Sequence, residues 1–481
     1  MKIAFVASEI TPFAKTGGLA DVAAALPHAL HQLGHDLRVF MPLYASVRNG
    51  PFGLQPVPSI QNVPVQLGAY SYQFSLFSTV LPGSTLPIYL IDCPAAFSRS
   101  ALYTADADEH RRFLLLQRAA LESLQRMQFA PDILHCNDWH TSLLPLLIRT
   151  SYGWDALFQH TRSLLSIHNI GYQGIFGVAS FADIGLDDLN VHVRSEDWAA
   201  GQINWLKEGL FHADAVSTVS PTYAREICTP AGGHGLDALL RSRVDGATGI
   251  LNGVDYDSWD PAKDKTLPAR YTIDDLRGKR QCKQTLLQLA QLPLDIDTPI
   301  VGVVSRLAQQ KGIDLLMESL PELLTTRDFA LCVLGSGDPQ YVSFFTQLMR
   351  DFPERVYFRN GYDEALAHLI EAGSDMFLMP SLYEPCGLNQ MYSLKYGTIP
   401  IVRKTGGLAD SVQMWDGTSG TGIVFNDYDA PAVNWALNTA LDLFKDKTAW
   451  MRMMRNAMAQ DFSWETQAQE YVRLYERMLA Q

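Results

Sequence analysis

The sequence predicts an α/β protein built from two doubly wound domains. Three observations carry that reading. Short apolar runs with β character each end in a polar cluster, helical stretches lie between them, and a second series of such runs follows a long interval rich in Asp, Pro and Lys. Buried runs of this length separated by helices make parallel strands joined by right-handed crossovers, so helices cover both faces of the sheet. At 481 residues, with 47% apolar and 19% charged side chains, the chain can bury two or three domain cores.

Ile3 to Ala7 reads as the first buried strand. A loop with Gly17 and Gly18 leads to a helical stretch from Leu19 to about Leu33, which Gly34 stops and which Pro27 is expected to kink or break. Leu37 to Met41 is the next strand, completing a βαβ unit. Ile133–Cys136, Leu164–Ile167 and Ala215–Val219 continue the first series. The second series runs through Ile300–Val304, Leu331–Leu334, Val356–Phe358, Met376–Met379 and Ile399–Val402. Asn252 to Asp297, with few strand-like runs, lies between them, and the domains are expected to join near residues 250–260. The expected division is 1–250 and 251–460. A helical tail, 461–481, is not assigned by composition, and packing back on the first domain is one option.

Lys and Arg number 38 against 51 for Asp and Glu, a net charge of −13, so neither nucleic acid nor an anionic membrane is a default partner. The six cysteines (Cys93, Cys136, Cys228, Cys282, Cys332 and Cys386) form no CxxC pair, which fits free thiols in a reducing compartment. MKIAFVASEI has too short an apolar stretch for a signal peptide, and no apolar run of about 18 residues occurs. A soluble cytoplasmic protein is expected.

The heptapeptide Lys15-Thr16-Gly17-Gly18-Leu19-Ala20-Asp21 recurs letter for letter as Lys404-Thr405-Gly406-Gly407-Leu408-Ala409-Asp410. Paired glycines let backbone N–H groups approach a ligand at a helix N-terminus, a setting that suits phosphate, and the preceding Lys adds charge. A single copy is as readily a plain tight turn. Two copies argue for one device placed in both domains.

Ser305 to Gly312 leaves the Ile300–Val304 strand with Arg306 and Lys311 at its carboxyl end, where ligands of open α/β sheets bind. Loop cations are ordinarily just solvated, but a fork-shaped Arg and a Lys together suit a diphosphate. Tyr383-Glu384-Pro385-Cys386-Gly387-Leu388, which follows Met376–Met379, offers a carboxylate for sugar hydroxyls or to balance those cations. In the first domain, His135-Cys136-Asn137-Asp138-Trp139-His140 and Ser166-Ile167-His168-Asn169 end strands in the same manner. His135, Asp138 and His140 lack zinc spacing. Asp106-Ala107-Asp108 could hold a divalent cation, but Glu109, His110, Arg111 and Arg112 follow, which favours a solvated helix start.

KTGGLADV, HCNDWH, SIHNIGYQG, LNGVD, SRLAQQKG, SLYEPCGLNQMYSLKYG and the second KTGGLAD together resemble the bacterial glycogen synthases, relatives of plant starch synthases, in order from residue 1 to about residue 475. The resemblance implies the GT-B fold, two Rossmann-like domains facing across a deep cleft. It also implies transfer of glucose from ADP-glucose to the non-reducing 4-hydroxyl of an α-1,4-glucan (glycogen or a malto-oligosaccharide), with retention of configuration and without a metal or other cofactor. Carried onto matching positions, Lys15 holds ADP-glucose, Arg306 and Lys311 neutralise the departing diphosphate, and Glu384 contacts the glucosyl hydroxyls. His168 binds the glucose with its backbone carbonyl near the anomeric carbon, and Asp138 lies near the transferred sugar and the acceptor. Gly18, Gly406 and Gly407 supply backbone donors, Tyr362 packs on adenine, and Asn252, Cys386, Gly387, Leu388 and Asn389 complete the donor site.

Two positions depart from related retaining transferases. Tyr392 stands where many carry a second Glu, which fits this branch, and Asn389 stands where Thr is more usual beside the phosphate. The alternatives are a retaining GT-B enzyme using UDP-glucose or a small acceptor, and a catalytically silent glucan-binding protein. The intact Lys15, Arg306, Lys311 and Glu384 speak against silence. No cofactor-lysine motif of the pyridoxal phosphate-dependent phosphorylases stands out.

Overall fold

A computed structural model describes residues 1–186 and 199–481. The chain divides into two units. The first holds Met1–Val219, Ala224–Gly253 and Trp464–Gln481, and the second holds Ser220–Tyr223 and Val254–Ser463.

The first unit is a ten-stranded sheet. Its strands are β1 (Lys2–Val6), β2 (Asp36–Pro42), β3 (Gln55–Pro56), β4 (Val63–Leu67), β5 (Tyr70–Val80), β6 (Pro87–Asp92), β7 (Ile133–Asn137) and β8 (Arg162–Ile167), then β11 (Ala215–Thr218) and β12 (Thr248–Gly249); β9 (Ile175–Gly177) and β10 (Gln202–Asn204) pair separately. The order β12-β11-β8-β7-β1-β2-β6 is parallel throughout, and β5 then adds antiparallel to β6. Ile3 pairs with Leu37 on one side and Ile133 on the other, so β1 is central and its inner residues are fully buried. The antiparallel β4–β5–β6 extension has no counterpart in the sequence reading, because in β4 and β5 apolar residues alternate with Pro, Gln and Ser and make no long continuous apolar run.

The second unit has six parallel strands in the order β15-β14-β13-β16-β17-β18. These are β13 (Ile300–Val304), β14 (Ala330–Gly335), β15 (Val356–Asn360), β16 (Met376–Met379), β17 (Ile399–Arg403) and β18 (Ile423–Phe425). Counting parallel strands from each unit's own first strand, both sheets follow 3-2-1-4-5-6, with one further strand in the first unit. In such an order the chain reverses direction beside strand 1, opening a ligand crevice at the carboxyl ends there. That place lies between β1 and β7 in one unit and between β13 and β16 in the other.

The helix after β1 runs unbroken from Gly18 to Gln32 with Pro27 inside it, against the expected break. Proline removes one helical donor at a cost of about 3 kcal/mol. Pro27 sits on the buried face with Leu19, Val22, Ala23, Leu26 and Leu30, and packing of that face outweighs the local penalty. The Trp464–Leu479 helix belongs to the first unit, where Tyr475 Oη lies 2.8 Å from His135 Nδ1. The segment from 254 to 297 supplies much of the second core through Leu267, Tyr271, Cys282 and Leu286, with Trp259 packed against them. Among the described residues no helix is long and apolar enough to cross a membrane.

Candidate active site

Both reversal points carry the polar residues noted in the sequence. In the first unit β1 runs into Ser8 and Glu9. The buried Glu9 carboxylate accepts the Thr16 N–H at 2.6 Å and the Thr16 hydroxyl at 2.8 Å, folding the Lys15 loop back onto the strand end. Burial raises the Glu9 pKa, an effect only partly offset by the Thr16 hydrogen bonds. Lys15 is exposed and its ammonium meets Asp21 Oδ1 at 2.7 Å. Gly18 opens the following helix, and a Cβ there would touch nothing within 4 Å.

The neighbouring β7 ends at Asn137 and Asp138. Asp138 has φ +54° and ψ −173°, a region nearly reserved for glycine, and strain of about 1–3 kcal/mol at such a residue points to function. Its buried Oδ1 accepts the His168 N–H at 2.7 Å, which orients the His168 peptide group. Burial, opposed by the His168 and Asn169 backbone donors, pushes the Asp138 carboxyl up to about 7.

Asn137 donates its amide N–H to the Val6 carbonyl at 3.0 Å, so its oxygen faces His168 Nε2 at 2.9 Å. His168 is therefore the Nε2–H tautomer. Its Nδ1 lone pair is buried without a partner among the described residues. Burial holds this imidazole down at about 4, neutral at physiological pH.

His135 and His140 do not join them. His135 is buried between Tyr475 and the Ser166 hydroxyl, and His140 is enclosed by Tyr103, Phe113 and Trp139. Asp106 and Asp108 both pair with Arg99, and the helix that follows starts with buried Glu109, His110 and Arg112, not with a solvated turn. Asn252, also in the first unit, is buried, with its Oδ1 unpartnered among the described residues.

In the second unit β13 delivers Ser305–Lys311 and β16 delivers Ser381–Glu384, side by side. Lys311 Nζ lies 2.6 Å from Glu384 Oε2, which also accepts the Ser381 hydroxyl at 3.1 Å. Arg306 is exposed, and its guanidinium donates to Gln310 Oε1 at 3.0 Å. Tyr362, 76% exposed, follows β15, two strands from β13 and so about 10 Å along the sheet. Cys386 is buried, Gly387 turns the chain at φ +71°, and Leu388 precedes the Asn389–Tyr396 helix.

Two residues expected to offer donors spend them inside the protein. Asn389 gives its amide N–H to the Val304 carbonyl at 2.7 Å, tying that helix to β13. The Gly407 N–H goes to the Glu384 carbonyl at 3.1 Å. Glycine is needed at 406 and 407 for close approach: Cβ atoms there would sit 1.8 Å from the Glu384 oxygen and 2.0 Å from the Cys386 oxygen. The second heptapeptide is thus a packed joint, whereas the first is an open loop.

Several residues that organise the site escaped the sequence reading. Glu9 carried the one available signal, a polar residue at a strand's carboxyl end. Tyr103, bonded to Ser8, and Gln390, which donates to the Cys386 and Gly387 carbonyls, carried none.

Residues 2–242 match the starch synthase catalytic domain family, and residues 287–457 match the glycosyl transferases group 1 family. The glycogen synthase of Koribacter versatilis is 46% identical over 99% of this chain and 98% of its own. The chain belongs to the glycogen synthase family. The glycogen synthase of Aeromonas hydrophila is 43% identical over 100% of this chain and 99% of its own. The catalytic domain of starch synthase IV from Arabidopsis thaliana, bound to ADP and acarbose, aligns with a TM-score of 0.92 at 35% identity, covering 100% and 99% of the two chains. This family member is accordingly a glucosyltransferase of the glycogen synthase kind with the GT-B fold. A sucrose-phosphate synthase from Thermosynechococcus elongatus, at 18% identity and a TM-score of 0.62, shares the fold.

Proposed function

We propose that this glycogen synthase transfers glucose from ADP-glucose to the non-reducing 4-hydroxyl of an α-1,4-glucan, with retention of the α configuration. The observation that carries the reading is the Lys311–Glu384 pair beside Arg306, at the point where the second sheet reverses. Negative charge grows on the diphosphate as the glucosyl bond breaks, and preorganised cations that meet it are worth several kcal/mol per group. Arg306 grips the phosphates as a fork, Lys311 adds a point charge, and Glu384 holds Lys311 in place while facing the sugar. Tyr362 stacks on the adenine, and the Cys386–Asn389 turn completes the second unit's part of the donor site. His168 binds the glucose, and Asp138, which accepts the His168 N–H, fixes that peptide near the anomeric carbon.

The two cations supply the charge that a metal ion would otherwise provide, so the reaction is proposed to need no cofactor. ADP is favoured as the nucleotide because the starch synthase IV structure holds it. Cytoplasmic residence agrees with cysteines that are all free.

Incubation with ADP-[14C]glucose and glycogen, followed by counting label in precipitated polymer, tests the reaction. Label in polymer is expected, with much less from UDP-[14C]glucose. Label absent from polymer, or equal from both donors, would count against the reaction or the donor respectively.

A further inference from the structure

The loop that carries Glu384 is held through four consecutive carbonyls. Gly407 N–H takes Glu384 O at 3.1 Å, and the buried Gln390 amide takes Cys386 O at 3.0 Å and Gly387 O at 3.1 Å. These donors lie within about one helix–strand–helix step of the loop. The remaining carbonyl, Pro385 O, accepts from Ser220 Oγ at 2.6 Å, across 165 residues of sequence, with both residues buried.

Ser220 lies in the four-residue segment Ser220–Tyr223, which groups with the second unit although the chain on either side of it groups with the first. Three more hydrogen bonds hold this strap in shape. Asp410 accepts the Thr222 N–H and the Thr222 hydroxyl, each at 2.7 Å, and the Tyr223 N–H donates to Ser220 Oγ at 3.1 Å. Asp410 closes the second KTGGLAD heptapeptide, whereas its counterpart Asp21 in the first pairs with Lys15. The same aspartate does two different tasks in the two copies.

We propose that Ser220 is a positioning residue for Glu384, and that Thr222 and Asp410 hold Ser220 to that task. Pro385 has no N–H and a fixed φ, so the Glu384–Pro385 peptide can be held only at Glu384 O, by Gly407, and Pro385 O is the next point at which the turn is held. Ser220 provides the anchor for the middle of that turn and does so from a hydroxyl whose own orientation is set by the Tyr223 N–H. Without it the Glu384–Cys386 turn can tilt, carrying the carboxylate and the paired Lys311 ammonium away from the reacting phosphate and sugar. Misplacement by a fraction of an ångström costs turnover far more than it costs binding through distant contacts. The inference rests on the proposed glucosyl transfer only for its readout.

Steady-state kinetics with ADP-glucose and glycogen, with sites counted by calorimetric titration with ADP, test it. Ser220→Ala is expected to lower kcat per ADP-binding site by about tenfold, with the donor KM within about twofold, and Ser220→Thr to recover most of the loss. A purely structural serine would lower the number of sites but leave kcat per site unchanged. Ser220→Ala with kcat per site within about twofold of wild type, or a fall that Ser220→Thr leaves in place, overturns the proposal. If Ser220→Ala yields no ADP-binding protein, Thr222→Ala loosens the strap from its other end. It is then expected to lower kcat per site about threefold or more, and an unchanged kcat overturns the proposal. A wild-type protein that binds ADP but transfers no glucose would instead refute the reaction.

Discussion

Lys311 Nζ and Glu384 Oε2 are 2.6 Å apart at the ends of two neighbouring parallel strands, with side-chain exposures of 19% and 6%. The carboxylate anticipated for sugar hydroxyls is therefore already the counter-charge of the cation anticipated for phosphate. Each group holds the other in place before any ligand arrives.

Because the pair is largely buried, Lys311→Ala should damage both function and folding. Removing one partner of such a pair costs about 3–5 kcal/mol, and loss of one preorganised donor costs about 10²–10³ in kcat. The double variant Lys311→Met/Glu384→Gln should regain much of the melting temperature and none of the turnover. Recovery of turnover in the double variant would remove both residues from the mechanism.

Lys15 makes the opposite kind of contact. Its side chain is 48% exposed, and its pair with Asp21 should add at most about 1 kcal/mol to stability. Lys15→Ala should melt within a degree or two of wild type while kcat/KM for ADP-glucose falls at least about tenfold. Calorimetry and steady-state kinetics on one preparation check both halves.

The repeated heptapeptide should respond asymmetrically to the same mutation. Gly18→Ala adds a methyl that meets nothing within 4 Å and should leave the melting temperature unchanged or slightly raised. Gly407→Ala drives a methyl into the Cys386 carbonyl and should lower the melting temperature by several degrees and abolish most activity. Equal tolerance at both sites would contradict the packed joint.

Burial lowers the His135 pKa to about 3, helped by the neighbouring His168, against an ordinary imidazole value of 6.5. Between those values the unfolded chain holds a proton at this position and the folded chain does not. Stability from this group is therefore fully present above pH 6.5 and is lost as pH falls, by up to about 1.4 kcal/mol per pH unit. His135→Gln should flatten the pH dependence of urea unfolding by about that slope between pH 6 and 4. An unchanged slope would show that His135 gains its proton in the folded state.

If Arg306 and Lys311 carry the diphosphate charge, dialysis against EDTA should leave transfer of glucose to glycogen within about twofold of the untreated enzyme. A complete loss restored by magnesium would show that a metal ion does that work.

Much of the plan was legible because it is written locally. Runs such as Ile300–Val304 and Ile3–Ala7 are apolar on both faces, as only central parallel strands are, and right-handed crossovers then force the loops that follow to one end of each sheet. Arg306, Lys311, Glu384, Asp138 and His168 could be singled out because they follow parallel strands at their carboxyl ends, where ligands of such sheets bind, and because the motifs around them resemble those of a known family. The β4–β5–β6 extension was not legible, since in β4 and β5 apolar residues alternate with polar ones and form no continuous buried run of the kind that marks the parallel strands.

The parallel strand runs, the strand-end loops and the resemblance to the glycogen synthases follow from residues read one segment at a time. What each loop residue bonds to does not. Glu384 finds Lys311 across 73 residues, Asp138 finds His168 across 30 and Ser220 finds Pro385 across 165, and no spacing rule foretells such partners. Seven identical letters stand open at Lys15 and packed at Lys404, and a helix continues through Pro27, because burial against distant chain outweighs local preference in both places.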